Sequence, residues 1–178
     1  VGAKRCGHRP GKEIVSCEEM VDRVRAAADA RTDPDFFLIA RTDAIAVEGF
    51  DAAIDRAGSY IDAGADVLFI EAPRDSGELS RIADTFKGRV PLLANMVEGG
   101  ATPISSATTL EDMGFDIVIF PGGIVRALAR SAQDYYASLK ATGSNKAFSD
   151  RMHDFDGLNA AIGTPEMLAL GKRFDGKS

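Results

Sequence analysis

Near the start of the chain, Lys4, Arg5, Cys6, Gly7 and His8 set a thiol and an imidazole beside two fixed cations. Neighbouring cations lower a thiol pKa toward the working pH, which suits a cysteine that gives or takes a proton. A free structural cysteine is the plainer alternative, and His8 could equally be a solvated loop histidine. Farther along, polar residues recur at one kind of place, the end of an apolar run. Arg41, Thr42 and Asp43 close the first run, Glu71 the second, Asn95 and Glu98 the third, and Pro121, Gly122 and Gly123 the fourth. Arg41 with Asp43 could be no more than an ion pair at a strand end, and Asn95 a cap on the loop that follows. Glu71 is harder to assign to structure alone, because an unpaired buried carboxylate is costly. Four such clusters point to one site.

The runs themselves are FFLIART, VLFIEAP, PLLANMV and IVIFPGG, starting at Phe36, Val67, Pro91 and Ile117. Their near-continuous Leu, Ile, Val and Phe content predicts strands buried on both faces, as in a parallel sheet. Amphipathic stretches lie between them, each closed by a glycine (Gly64, Gly88, Gly114) that can end a helix without a Cβ penalty. Ahead of the first strand, SCEEMVDRVRAAADAR begins with Ser16 and Glu19 at capping-box spacing, which makes Cys17 a first-turn helix residue. A long helix, VRALARSAQDYYASLK, runs to a break at ATGSNKAF near residue 144, and a helical tail, FDGLNAAIGTPEMLALGKRF, follows. These are βα units, whose carboxyl strand ends carry the site in a closed barrel and in an open sheet alike. No dinucleotide glycine fingerprint with its distal acid is present, and the weaker PGGIVRA could seat an anion on a helix N-terminus. A barrel is favoured. Four strands cannot close one, and about 250 residues is typical, so the chain is expected to be incomplete, as Val1 in place of Met also suggests.

Composition bounds the partners. The chain has 178 residues, 45% hydrophobic and 27% charged, enough for one domain with a sizeable core. A net charge of -6 and a pI near 5.0 argue against nucleic acid and anionic membranes as partners. Neither a span-length apolar run nor a signal pattern opens the chain, so a cytoplasmic location is expected. Cys6 and Cys17 are too few for a disulfide scaffold and lack metal-ligand spacing, which leaves both as reduced thiols.

Five stretches, AKRCGHRPGKEIV, IARTDAIAVEGFDAAIDRA, AGADVLFIEAP, PLLANMVEGGATP and IVIFPGGIVRAL, together closely resemble the isocitrate lyase and phosphoenolpyruvate mutase superfamily. The branch they resemble holds methylisocitrate lyase, dimethylmalate lyase and carboxyvinyl-carboxyphosphonate phosphorylmutase. The resemblance implies a (β/α)8 barrel, of which this chain would supply strands 5 to 8 over residues 1–143. Residues 144–178 would form a C-terminal helical tail that packs on a neighbouring subunit of a homotetramer.

By the same resemblance the chemistry is Mg2+-dependent carbon-carbon cleavage of a 2-hydroxy di- or tricarboxylate by retro-aldol reaction. Cys6 would move the proton, with His8, Arg41 and Glu71 in the catalytic set. Arg41 would bind the keto-acid end, while Gly7, Asn95 and Arg126 would line the substrate pocket and Gly11 would free the Cys6 segment to close as a lid. The Mg2+ ligands are expected upstream of Val1, so no metal residue is assigned. Two departures bear on the substrate: Phe155 stands where methylisocitrate lyases carry an arginine for the third carboxylate, and Val97 and Gly99 replace an expected threonine and phenylalanine. They favour alkylmalates or oxaloacetate over a tricarboxylate. Phosphorylmutase or oxaloacetate decarboxylase activity is the alternative, and an inactive truncated barrel subunit is the non-enzyme alternative.

Overall fold

The computed structural model describes residues 11–174, which fall into two units, one up to Gly123 and one from Ile124. In the first unit Ser16 starts helix α1 (Cys17–Ala30) by accepting the Glu19 N–H at 3.1 Å. Only that half of a capping box forms, because the Glu19 carboxylate is paired with Arg23 one turn on. Cys17, the first residue of α1, is a free thiol.

Strand β1 (Ile39–Thr42) begins three residues later than the apolar run predicts, and Phe36 and Phe37 are exposed. Asp33 closes a turn there: its side chain accepts the Asp35 N–H and its carbonyl the Phe36 N–H, so the chain cannot yet be extended. A 3-10 helix (Ala44–Ala46) follows β1 and leads to α2 (Phe50–Asp62). The unit continues through β2 (Val67–Ile70), α3 (Ser76–Phe86), β3 (Leu92–Asn95), α4 (Ala107–Met113) and β4 (Ile117–Ile119). The four strands pair in parallel in the order β1-β2-β3-β4. Gly64, Gly88 and Gly114 follow α2, α3 and α4 with positive φ, as their helix-closing role requires. At Gly64 the space is also occupied: a Cβ there would lie 2.9 Å from that of Ala28.

Successive strand residues point to opposite faces. On one face Ala40, Leu68, Ile70, Leu92 and Ala94 join the main core with residues of α1 to α4, among them Val24, Tyr60, Ile82 and Leu110. On the other face Val67, Phe69 and Leu93 form a smaller cluster with Ile117 and Ile119. Strand β2 is buried at every position, as expected for a parallel sheet interior. Strand β1 instead alternates, with Ile39 and Arg41 exposed and Ala40 and Thr42 buried. Among the described residues β1 pairs with β2 alone, and Ile39 and Arg41 are not covered as the β2 side chains are.

The second unit is helical. Helix α5 (Gly123–Thr142) carries into it, then a 3-10 helix (Lys146–Arg151), α6 (Phe155–Ala161) and α7 (Thr164–Lys172). Phe148 is buried and meets Tyr135 edge-on at 5.5 Å. Among the described residues no helix is long and apolar enough to cross a membrane.

Candidate active site

Strand alternation puts Arg41, Phe69, Glu71 and Asn95 on the sheet face opposite the main core. Register pairs Arg41 with Phe69 and Phe69 with Leu93, while Glu71 and Asn95 lie two residues farther along their own strands. The Glu71 N–H donates to the Thr42 carbonyl at 2.9 Å and so carries the ladder just past β2. Three consecutive strands therefore deliver three polar side chains to one place, their carboxyl ends.

The contacts are those of a network. Arg41 donates from Nε to Asp43 Oδ2 at 2.8 Å and from Nη2 to Asp43 Oδ1 at 3.1 Å. Its Nη2 lies 2.9 Å from Glu71 Oε2, and its guanidinium sits 4.8 Å over the Phe69 ring. The Asn95 amide donates to both Glu71 oxygens, at 3.4 and 3.3 Å, while its Oδ1 is buried with no hydrogen-bond partner. Lys12 completes the group, its Nζ 3.2 Å from Asp43 Oδ1. Arg41 is the accessible member, 39% exposed at its side chain against 4% for Asp43 and 1% for Glu71. Burial pushes the Asp43 carboxyl up, but Arg41 and then Lys12 outweigh it and hold the group below its ordinary range.

Backbone strain lies beside these groups. Ala72, between Glu71 and Pro73, has φ 61, the left-handed region that L-residues rarely occupy and that a following proline disfavours further. The loop after β3 also reaches the end of β4, since a Cβ on Gly123 would lie 2.7 Å from Glu98 Oε1. A side chain at position 123 would therefore make the flexible Glu98 carboxylate turn aside.

Of the residues singled out from sequence, Arg41, Glu71 and Asn95 come together. Cys6, Gly7 and His8 lie outside the described residues. Arg126 stands in the second unit, exposed on the first turn of α5. The Arg41–Asp43 pair is an ion pair and at the same time part of the cluster, so the two readings of it are not exclusive. Sequence reasoning missed Lys12 altogether. A lysine in a polar, proline- and glycine-containing stretch reads as solvated, and only the fold reveals its burial. Among the described residues no group of three or more His, Cys, Asp or Glu side chains could hold a metal ion. Both site carboxylates are already engaged by cations.

The family described as phosphoenolpyruvate phosphomutase matches residues 4–140. A 2-methylisocitrate lyase of Salmonella typhimurium is 50% identical over 91% of this chain and 54% of its own length. A 2,3-dimethylmalate lyase of Eubacterium barkeri is 42% identical over 90% of this chain and 55% of its own length. This chain thus spans about half the length of the curated relatives it matches. A crystal structure of 2,3-dimethylmalate lyase, described as a member of the PEP mutase/isocitrate lyase superfamily, superposes with a TM-score of 0.86 at 34% identity. That match covers 100% of this chain and 60% of the other.

Proposed function

The chain belongs to the phosphoenolpyruvate phosphomutase family, and from that premise we propose that the protein it represents is a carbon-carbon lyase acting on a 2-hydroxy dicarboxylate. The observation that carries this is the convergence of Arg41, Glu71 and Asn95 on three successive parallel strand ends. In the reaction the bond between the hydroxyl-bearing carbon and its neighbour breaks. The hydroxyl loses its proton and becomes the carbonyl of an α-keto acid, and the electron pair leaves with the other fragment as an enediolate-like carboxylate that must gain a proton.

Each residue has a task in that scheme. Arg41, accessible and held rigidly, clamps the keto-acid carboxylate. Asn95 Oδ1, a buried acceptor without a partner, suits a substrate hydroxyl. Glu71 anchors both. By the resemblance alone, Cys6 supplies the proton to the departing fragment, His8 belongs to the same catalytic set, and Gly7 and Arg126 bind substrate. Magnesium belongs to this proposal through the resemblance alone. The described residues do not fit a metal site, because Asp43 and Glu71 are committed to Lys12 and Arg41. No step is derived through the ion.

The same proposal covers architecture. Parallel strands in unreversed order support an arc of a (β/α)8 barrel, strands 5 to 8, since doubly wound open sheets reverse order at a switch point. The division at residue 143 between barrel and tail, and the homotetramer, belong to it too.

Identity over the matched residues is higher to the 2-methylisocitrate lyase, 50%, than to the dimethylmalate lyase, 42%. Overall identity does not choose between acids, however, because discrimination rests on a few pocket contacts. Val97, Gly99 and Phe155 are therefore given more weight. In the full-length protein with Mg2+, 2,3-dimethylmalate, or oxaloacetate reacting through the hydroxyl of its C2 hydrate, is expected to show a higher kcat/KM than 2-methylisocitrate. Cys6→Ser should remove most cleavage while leaving product binding nearly intact, because a hydroxyl is far too weak an acid near neutral pH. Faster turnover of 2-methylisocitrate would overturn the substrate reading, and full activity in Cys6→Ser the mechanism.

A further inference from the structure

We propose that Asp43 is a positioning residue: compensated by the buried Lys12, its carboxylate sets the orientation in which Arg41 meets a substrate carboxylate. The inference deepens the reading above and rests on Arg41 as the clamp.

Two roughly parallel hydrogen bonds from Nε and Nη2 to one carboxylate fix the plane and the rotation of a guanidinium as well as its position. The Phe69 ring limits movement along the third direction. Neutralising Arg41 does not require Asp43, because Glu71 already lies 2.9 Å from Nη2. A second buried carboxylate instead creates a demand for another cation, and Lys12 meets it from 31 positions earlier in the chain, with both side chains under 5% exposed (3% and 4%). Among the described residues each of the two carboxylates thus faces at least one cation. A ligand carboxylate meets a pre-oriented donor, and the ordering cost of the clamp is met in folding rather than in binding.

The test uses the full-length protein with Mg2+ and oxalate as probe, a planar dicarboxylate that resembles a keto-acid enolate, with its affinity read by calorimetry. An amide at position 43 accepts at one atom and donates at the other, so it cannot serve the three cationic donors that Asp43 serves. Asp43→Asn should weaken oxalate binding roughly tenfold or more and raise KM in proportion while kcat changes little. Because Asp43→Asn leaves Lys12 buried without that carboxylate, Lys12→Met with Asp43→Asn is made alongside. It removes both charges and should show the same loss in affinity. Arg41→Lys should weaken binding as well, and Asp43→Asn added to it should cost little more, since both act on one contact. Glu48→Gln, which loosens the separate Arg56–Glu48 pair, should lower Tm without changing oxalate affinity.

Unchanged oxalate affinity in both Asp43 variants, with only Tm reduced, would assign Asp43 to stability and overturn the inference. Additive losses in the Arg41/Asp43 cycle would overturn it too. Loss in Arg41→Lys without loss in Asp43→Asn sinks this inference alone. No loss in Arg41→Lys sinks the clamp reading, and this inference with it.

Discussion

Asp43 joins the site to stability through one carboxylate. Its folded pKa lies below the ordinary value of 3.8, so its ionised contacts contribute stability that is fully present above that value and lost as pH falls through the folded pKa. Acid unfolding of the protein should therefore steepen below about pH 4, and Asp43→Asn should flatten the profile there while lowering stability at neutral pH. Equal slopes for the two proteins in urea titrations between about pH 2 and 5 would show that Asp43 is not held in its charged form by Arg41 and Lys12. The place of Arg41 in the polar cluster was legible from its position at the end of an apolar run. Its dependence on Lys12 was not, because nothing local distinguishes a lysine that will be buried from one that stays in water.

Elements owe their ends to single residues whose effects can be separated. Gly64 combines φ 106 with a neighbouring Cβ at 2.9 Å, so Gly64→Ala forces both a left-handed alanine and a clash between α1 and α2. A loss of about 1–3 kcal/mol is expected in urea unfolding. Ala72→Gly should run the other way, neutral or stabilising by up to about 1 kcal/mol, because glycine relieves the left-handed strain at φ 61. If the strain serves to aim Glu71, the stabilised variant will lose activity. A pair of equal, small changes in stability would contradict the conformations assigned to both positions. Helix and strand order was readable from period and punctuation, as Ser16 and Gly114 illustrate. The start of β1 was not, because the turn at Asp33 overrides the β-propensity of Phe36 and Phe37.

At the scale of the whole molecule, the second unit leaves large apolar side chains in contact with water, Phe155 at 83% and Phe174 at 76% exposure, with Ile162 and Met167 also exposed. A tail of this kind is stable in water only if something covers it, and the proposed tetramer assigns that cover to a neighbouring subunit. Light scattering of the full-length protein should give a tetramer mass, and Ile162→Asp with Met167→Asp should shift it to smaller species. A monomer that keeps full solubility would overturn that packing of the tail on a neighbour. The amino-acid sequence by itself determined the βα order, the helix and glycine boundaries, and the family, because those follow from local periodicity, backbone sterics and the order of motifs along the chain. Tertiary structure alone decided that Lys12 is buried on Asp43, that Arg41 spans Asp43 and Glu71, and that Asn95 turns its amide to Glu71 and keeps a buried acceptor. The physical reason is register: which polar side chains share a face and a level is set by how strands far apart in sequence pair, and no local pattern encodes that pairing.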